Sequence, residues 1–264
     1  MRVKLPSDPP VRACVLPHAT ITYTDEGEGP VLLAIHGLPG SHRDFRWLAS
    51  ALDNEARLVR IDMPGFGGSA MRDPPRAWPK LAALVSAFAE QVIGGPYAVL
   101  GHSFGGPLAT HVAVHDPRVR GLVWLASVGL RPHRLIKRVP RLRAIDAAAR
   151  TRFVGPAVLR LYRLGMRAAG FPSSVTVPEV ARCLAVLARF SFSDHRRAVE
   201  RLTMPCFGAW TDDDPFVEPE IVQELLAAAP GGPRLRFARG GHNLQKTCSV
   251  EIASALSTWL RQLG

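Results

Sequence analysis

The chain has 264 residues, of which 47% are hydrophobic and 21% are charged. This length suffices for one sizeable α/β core with an inserted segment, and the composition excludes a disordered or fibrous protein. No apolar run approaches the roughly 20 residues that a membrane-spanning helix needs. The first ten residues also lack the apolar stretch of a secretory signal. These features predict a globular protein of the cytoplasm, without a membrane span.

The formal net charge is +11, and it is concentrated in one segment. Residues 131–170 contain eleven lysines and arginines but a single acid, Asp146, whereas the rest of the chain is nearly neutral. A basic excess confined to one segment argues against a nucleic-acid-binding protein. Two interpretations remain: a solvated helical face, or a segment that attracts an anionic substrate, carrier or lipid surface through its positive potential.

The first half of the chain alternates strand patterns with helix patterns. In chain order, the patterns predict strands at 11–17, 20–24, 31–35, 58–61, 97–100 and 122–126, and helices at 45–52, 79–93 and 107–115. Ser41 is a candidate N-cap for the first of these helices. Strands separated by helices are typical of a parallel sheet.

The alternation stops at residue 131 and resumes at about residue 202. The patterns then predict strands at 205–210 and 235–238 and helices at 219–229 and 250–263, the last with Ser249 as its N-cap. We therefore expect an α/β fold with a doubly wound, mostly parallel sheet, formed by residues 1–130 and 202–264. Residues 131–201 contain helical patterns but no convincing strand. We interpret them as an inserted helical lid at the carboxyl edge of the sheet.

Ser103 lies between a predicted strand and a predicted helix, in the sequence Gly101-His102-Ser103-Phe104-Gly105. A serine at such a turn needs a strained backbone, and its neighbours two positions away must be small because strand and helix pass close together. The helix also directs free N–H groups toward the serine. This Gly-x-Ser-x-Gly pattern predicts a nucleophile, although five residues are too few for an assignment on their own.

Here the chain resembles the α/β-hydrolase fold family, in its serine-nucleophile, esterase-like branch. The matching motifs, in order, are His36–Gly40 (oxyanion loop), Asp62–Ser69 (turn), Gly101–Gly106 (nucleophile elbow) and Gly241-His242 (late histidine). The resemblance covers nearly all of the chain except residues 131–201. It implies a catalytic triad in the order serine, acid, histidine, with no metal and no cofactor.

The histidine of the triad is predicted to be His242. Among nine histidines, it alone follows a late strand and a glycine pair and precedes the last helix. A flexible glycine pair allows the loop to bring the imidazole beside Ser103 as a general base. His36 and His102 lie inside motifs, where packing and loop hydrogen bonds are the expected roles.

The acid is harder to select, because Asp212, Asp213 and Asp214 are consecutive. The family ends this strand with Gly-x-x-Asp-Pro, and Thr211 stands here in place of the glycine. The resemblance therefore implies Asp214, with Asp212 held in reserve. Asp62 follows an earlier strand and is expected to brace its own turn by a hydrogen bond.

The resemblance also implies an oxyanion hole made by the backbone N–H groups of Leu38 and Phe104. The acyl pocket is expected to be mostly apolar, and we take Phe216, Phe190 and Tyr162 as candidate lining residues. The four cysteines are scattered without metal-ligand spacing and are expected to be reduced thiols.

The predicted function is hydrolysis of a small-molecule carboxylic ester through an acyl-enzyme on Ser103. Related enzymes that open epoxides or displace halides use an aspartate nucleophile, because an alkylated serine would be an inert ether. Thioester, amide and carbon–carbon bond hydrolysis remain alternatives on the same triad. A non-catalytic, ligand-binding relative is the alternative from a different class.

Overall fold

A single twisted sheet organises the molecule. The structure is a computed structural model that describes residues 8–71, 78–137, 139 and 141–263. Within these residues nine strands form the sheet: β1 Arg12–Leu16, β2 Ala19–Glu26, β3 Val31–Ile35, β4 Arg57–Ile61, β5 Ala70–Met71, β6 Tyr97–His102, β7 Val119–Leu125, β8 Cys206–Thr211 and β9 Arg234–Phe237.

The strands are ordered β1-β2-β4-β3-β6-β7-β8-β9, and β5 pairs with β2. All pairs from β4 to β9 are parallel, whereas β1, β2 and β5 form antiparallel pairs at one edge. The predicted doubly wound, mostly parallel sheet is confirmed. Because parallel strands point the same way, residues that follow β3, β6, β7 and β8 meet at one edge.

Helices flank the sheet and cross its carboxyl edge. The α-helices of the described residues are α1 Arg46–Leu52, α2 Trp78–Val92, α3 Gly105–His115, α4 Arg134–Lys137, α5 Leu142–Ala149, α6 Gly155–Ala168, α7 Val177–Leu187, α8 Phe192–Val199, α9 Pro219–Ala227, α10 Leu244–Thr247 and α11 Ser249–Gln262. A 3₁₀ turn at His42–Phe45 precedes α1.

The core consists of two apolar layers, one on each face of the sheet. Helices α1 and α11 cover one face, where Leu48 and Leu256 pack against strand residues such as Leu100. Helices α2, α3 and α9 cover the other face. Strands buried on both faces must be apolar throughout, which explains why β3 and β6 consist almost entirely of buried residues.

Between β7 and β8 the chain forms α4 to α8, and the described part of 131–201 contains no strand. Helix α8 packs against α3, and α6 packs against α5 and α7. Sequence patterning predicted the helical character of this segment correctly. Its separate status as a lid beside a core of 1–130 and 202–264 stays a prediction.

Two capping predictions have different outcomes. Ser41 is an N-cap, but of the 3₁₀ turn, where it forms a reciprocal capping box with Asp44. The Ser249 prediction is wrong, because α11 begins at Ser249 itself and its N-cap residue is Cys248. The short α10, which the sequence patterns did not reveal, ends immediately before α11 and leaves no separate loop for a serine cap.

Candidate active site

Ser103 occupies the sharp turn that joins β6 to α3. Its φ is +52°, in the left-handed region that non-glycine residues rarely adopt. The backbone is held there because the Ser103 N–H donates to Leu125 O, while the N–H groups of Gly106 and Val128 donate to Ser103 O. The turn places the Ser103 hydroxyl at the carboxyl edge of the sheet, at the N-terminus of α3.

The glycines of the motif are required by close backbone contacts. A Cβ on Gly101 would overlap the backbone of Gly105, and a Cβ on Gly105 would overlap the carbonyl oxygen of Ile35. Strand β6, helix α3 and the end of β3 therefore approach each other more closely than any side chain allows. Both close contacts agree with the small residues that the Gly-x-Ser-x-Gly pattern requires on either side of the serine.

His242 links the serine to an acid. In the tautomer with a proton on Nδ1, His242 donates to Asp214 Oδ2 over 2.8 Å, and the Ser103 hydroxyl lies 2.9 Å from His242 Nε2. Asp214 is only 5% exposed, and its Oδ1 accepts the backbone N–H groups of Phe216 and Val217. Burial raises the pKa of this carboxyl, but the hydrogen bonds from His242 and the two amides outweigh it and hold the pKa below its usual value.

Asp212 and Asp213 have other contacts. Asp212 pairs with Arg236 at the surface, with Nε–Oδ distances of 2.9 and 3.1 Å. Asp213 Oδ1 accepts the Gly241 N–H over 2.7 Å, so it holds the loop that carries His242. Of the three consecutive aspartates, only Asp214 reaches the imidazole, and the reserve candidate Asp212 does not.

The loop before α10 is fixed from several sides. Gly240 and Gly241 both have positive φ, which turns the chain back toward the sheet. The hydroxyl of Thr211, the residue that replaces a glycine of the family pattern, donates to Gly241 O over 2.9 Å. His102 Nε2–H donates to the carbonyl oxygen of His242 over 2.9 Å. The hydrogen bonds of Thr211, Asp213 and His102 thus hold the loop that carries His242.

His36 and His102 are buried and neutral. His36 donates from Nδ1 to Gly37 O and accepts the Met63 N–H at Nε2, which ties the loop after β3 to the loop after β4. Burial lowers the pKa of His36, and burial together with the nearby His242 lowers the pKa of His102 to about 3. Both histidines have the loop-bonding role that their positions suggested.

Asp62 braces its own turn. Its carboxylate accepts the N–H of Gly68 over 2.8 Å, the hydroxyl of Thr22 over 2.8 Å and both the backbone and the ring N–H of His42. Burial opposes its ionisation, but these four donors lower its pKa far below the usual range. The carboxylate of Asp62 is therefore occupied by β2 and by the loops that follow β3 and β4.

A cavity of about 1100 Å³ extends from Ser103 into the α4–α8 segment. Its walls are mostly apolar, and α5, α6 and α7 share them with the ends of the sheet strands. The lining residues include Leu38, Pro39, Ile136, Val139, Ile145, Val158, Leu161, Tyr162, Met166, Phe171, Leu187, Phe216 and Val217. Such a volume accommodates a medium or large organic ligand.

The sequence of this chain matches the model of the alpha/beta hydrolase family over residues 31–255. The chain belongs to this family. The matched range begins at β3 and ends within α11, so it contains all the strands that border the candidate site.

Individual relatives carry different names. The chain is 27% identical to a pimeloyl-[acyl-carrier protein] methyl ester esterase of Xylella fastidiosa, over 90% of this chain and 97% of the relative. It is 26% identical to a magnesium-chelatase 30 kDa subunit of Rhodobacter capsulatus, over 90% and 89% of the two chains. A haloalkane dehalogenase from Bradyrhizobium elkani has the same fold, with a TM-score of 0.75 at 18% identity over 96% and 98% of the chains. Because the fold carries several chemistries, the function must be argued from the site.

Leu38 and Phe104, the predicted oxyanion donors, both line the cavity together with Ser103. Gly37, next to Leu38, approaches Ser103 so closely that an added Cβ would lie 2.9 Å from the serine Cβ. Phe104 is the first residue before α3. Among the bonds between described residues, neither the Leu38 nor the Phe104 N–H donates to a protein acceptor. Both groups are available to a bound ligand.

Of the three proposed pocket residues, Phe216 and Tyr162 line the cavity. Phe216 stacks on Phe171 with 5.0 Å between ring centroids and meets the His242 ring edge-on at 5.1 Å. Burial, with the neighbouring Cys183 as a smaller cause, raises the pKa of Tyr162 to about 12, so its phenol stays protonated.

The Phe190 assignment is wrong. Phe190 does not line the cavity but packs behind the site, with its ring centroid 5.5 Å from Phe104 and 5.1 Å from Trp78. Sequence patterns identify Phe190 as apolar but cannot tell which side of Phe104 it contacts. That choice depends on how α7 and α8 are joined.

In the described ranges, no three His, Cys, Asp or Glu side chains are grouped as ligands for a metal ion. No described helix is both long enough and apolar enough to cross a membrane. The four cysteines are buried and unpaired. Ser103, Asp214 and His242 follow β6, β8 and β9, respectively.

Proposed function

We propose that this protein is a serine hydrolase that cleaves a carboxylic ester through an acyl-enzyme. The observation that carries the proposal is the chain of contacts from the Ser103 hydroxyl to His242 Nε2, and from His242 Nδ1 to the buried Asp214. The serine end of this series of contacts lies at the wall of a large, mostly apolar cavity. A nucleophile, a base that activates it and a group that orients the base are the parts that acyl transfer needs.

In the first half-reaction, Ser103 Oγ attacks the ester carbonyl carbon while its proton passes to His242 Nε2. Asp214 holds the imidazole in the required tautomer and stabilises the imidazolium that forms. The negative charge develops on the former carbonyl oxygen. The free N–H groups of Leu38 and Phe104 are the donors that stabilise it, and loss of one such donor typically costs about 3–4 kcal/mol of barrier.

The tetrahedral intermediate then collapses. The bond to the alkoxy group breaks, and the imidazolium of His242 gives its proton to the departing alcohol. In the second half-reaction, His242 takes a proton from water, the resulting hydroxide attacks the acyl carbon, and Ser103 leaves with the proton that His242 returns. The products are the carboxylic acid and the alcohol, and the enzyme regains its initial state.

The nature of the nucleophile separates this chain from other users of the fold. A halide-displacing enzyme needs a carboxylate nucleophile, because the ester that it forms can be hydrolysed. An ether on Ser103 could not be hydrolysed in the same way. The name of the Xylella relative supports an ester as the bond class.

The cavity supports an ester with an extended apolar acyl or alkoxy group. Phe216 and Leu38 line the cavity together with Ser103, and Tyr162 of α6 offers a phenolic hydrogen-bond donor. A few polar groups in a mostly apolar cavity orient a ligand without binding water strongly. The same features support Phe216 and Tyr162 as substrate-contacting residues.

The test is covalent labelling with a fluorophosphonate, together with hydrolysis of p-nitrophenyl butyrate. We expect the wild type to be labelled and active, and Ser103→Ala to lose the label and at least about 10⁴-fold in kcat. Ser254→Ala, an exposed serine on α11, is the control and should be labelled like the wild type. Absence of both labelling and hydrolysis in the wild type would refute the proposed function. Activity that survives in Ser103→Ala would instead refute the assignment of the nucleophile.

A further inference from the structure

The outer side of α6, with the turn that leads into it, is an exposed surface of unusual composition. We call it the α6 face and define it by Phe153, Val154, Leu161 and Leu164 with the arginines beside them. Among the described residues, seven large apolar side chains are strongly exposed, and four of them are these four. Phe153 is 89% exposed and Leu161 is 71% exposed. They extend over about 16 Å along a helix axis.

The arginines of the α6 face have no acidic partners. Within the described part of the chain, no carboxylate lies within ion-pair distance of Arg141, Arg152, Arg160 or Arg167, all of which are exposed. Arg152 lies over the ring of Phe153, 5.9 Å from its centroid. The one acid of residues 131–170, Asp146, is buried and already paired with Arg150 and Arg189.

The α6 face borders the entrance of the cavity. Leu161 and Arg141 both line the cavity and are exposed to solvent, so the cavity opens between the start of α5 and the middle of α6. The inner side of the same helix, with Val158, Tyr162 and Met166, forms a wall of the cavity. Helix α6 therefore has one side toward the cavity and another toward the surroundings.

From these features we infer that the α6 face binds an anionic lipid surface and that an amphiphilic ester enters the cavity from it. Phe153, Val154, Leu161 and Leu164 insert among the acyl chains, and the arginines contact lipid phosphates. Basic residues beside exposed aromatic and aliphatic ones are the composition of helices that lie in a membrane interface. The part of this inference that concerns the ester rests on the proposed hydrolase function.

An acidic carrier protein is the competing partner for a cationic face. A carrier would satisfy the arginines, but docking by charge requires no protruding apolar side chains. Phe153 and Leu164 neither line the cavity nor pack in the core. A lipid interface takes up both the charges and these apolar groups, and we therefore favour it over a carrier.

The test is sedimentation with vesicles of phosphatidylglycerol and phosphatidylcholine, compared with phosphatidylcholine alone. We expect the wild type to bind the anionic vesicles preferentially and to be released by salt. Arg160→Gln/Arg167→Gln should bind about 25-fold more weakly, at about fivefold for each arginine. Phe153→Ser/Leu164→Gln should lose about tenfold or more in affinity for the anionic vesicles, at low and high salt alike.

Matched substitutions elsewhere provide the controls. Two variants should bind the vesicles as the wild type does. They are Arg120→Gln, near the start of β7 and so at the amino edge of the sheet, and Val250→Ser, on α11. All four variants should hydrolyse p-nitrophenyl butyrate normally, whereas hydrolysis of p-nitrophenyl palmitate in anionic vesicles should fall in the two α6 variants. Ser103→Ala should bind vesicles like the wild type, which separates membrane binding from the proposed chemistry.

The inference is overturned if the wild type does not sediment with anionic vesicles, or if both α6 variants bind as well as the wild type does. It is also overturned if these variants bind vesicles normally and lose only the turnover of an ester attached to an acidic carrier protein. That result would assign the α6 face to a protein partner.

Discussion

At the scale of single residues, the three aspartates that follow β8 show how position separates chemically identical side chains. Asp212 points to solvent and Arg236, Asp213 binds the loop that carries His242, and Asp214 faces inward to the imidazole. Asp214 is the buried one, and two backbone N–H groups hold its other oxygen. A buried carboxylate with fixed donors is a rigid partner for an imidazole, whereas an exposed one is not.

We expect Asp214→Asn to lower kcat by roughly 10⁴-fold, because the amide would favour the wrong tautomer of His242 while leaving the fold intact. Asp212→Asn removes only a surface ion pair with Arg236 and should keep nearly full kcat. Steady-state hydrolysis of p-nitrophenyl butyrate by the two variants measures the difference. A large loss in Asp212→Asn with little effect in Asp214→Asn would reverse the assignment of the acid.

At the scale of elements, the site depends on the crossing of β3, β6 and α3. Gly105 begins α3 directly against the carbonyl groups of Ile35 and His36, which brings the N-terminus of α3 to Ser103. The loop after β3, which contains Leu38, passes over Ser103 for the same reason. The geometry of this crossing therefore sets both the serine and the candidate oxyanion donors.

Gly105→Ala should push the start of α3 away from the end of β3. Its Cβ would meet backbone atoms of Ile35 and His36, which cannot rotate away, so we expect a loss of about 3 kcal/mol or more in the free energy of unfolding. Gly95→Ala is the control, since nothing lies within 4 Å of its Cβ position. Urea unfolding of the two variants provides the measurement, and equal midpoints would show that α3 can shift without cost.

At the scale of the whole molecule, several histidines are buried in neutral form. Burial is the largest cause that lowers the pKa of His102 and His195 to about 3 and that of His111 and His133 to about 4. In the unfolded chain such groups titrate near 6.5. The unfolded state therefore takes up protons as the pH falls below about 6.5, whereas the folded state does not until a much lower pH.

Because the unfolded state binds more protons than the folded state below about pH 6.5, the free energy of unfolding decreases as the pH falls. The stability contributed by the neutral histidines is fully present above about pH 6.5 and is lost as the pH falls toward their folded pKa values. Between about pH 6 and pH 5, each such histidine should contribute a slope of up to about 1.4 kcal/mol per pH unit to the free energy of unfolding. We expect His195→Gln to have a correspondingly smaller slope than the wild type in urea unfolding.

His18 provides the control for this measurement. Its ring is exposed in the turn between β1 and β2, so it is in water in both states, and His18→Gln should leave the slope unchanged. Comparing slopes rather than midpoints removes any constant destabilisation that the substitutions cause. A slope for His195→Gln equal to that of the wild type would show that His195 is not protonated on unfolding in this range.

Local sequence patterns were enough to predict the sheet, the motif around Ser103 and the candidate histidine. Apolar strands alternating with amphipathic helices specified a parallel sheet, because a strand covered on both faces has to be apolar throughout. The motif around Ser103 was recognisable because its glycines are required sterically and leave a fixed spacing. His242 is the candidate base because it follows a strand and two glycines, a context that no other histidine of this chain shares.

Contacts between side chains, in contrast, follow from the packing of the folded chain. The choice among Asp212, Asp213 and Asp214 depends on the directions of consecutive residues in a turn, and composition does not encode these directions. Thr211 departs from the glycine of the family pattern, and its hydroxyl donates to Gly241 O in the loop that carries His242. Phe190 and Tyr162 are both aromatic residues of the 131–201 segment, yet Phe190 packs behind Phe104 and Tyr162 lines the cavity. Contacts between residues far apart in sequence are set by how whole elements pack, and local patterns carry no record of them.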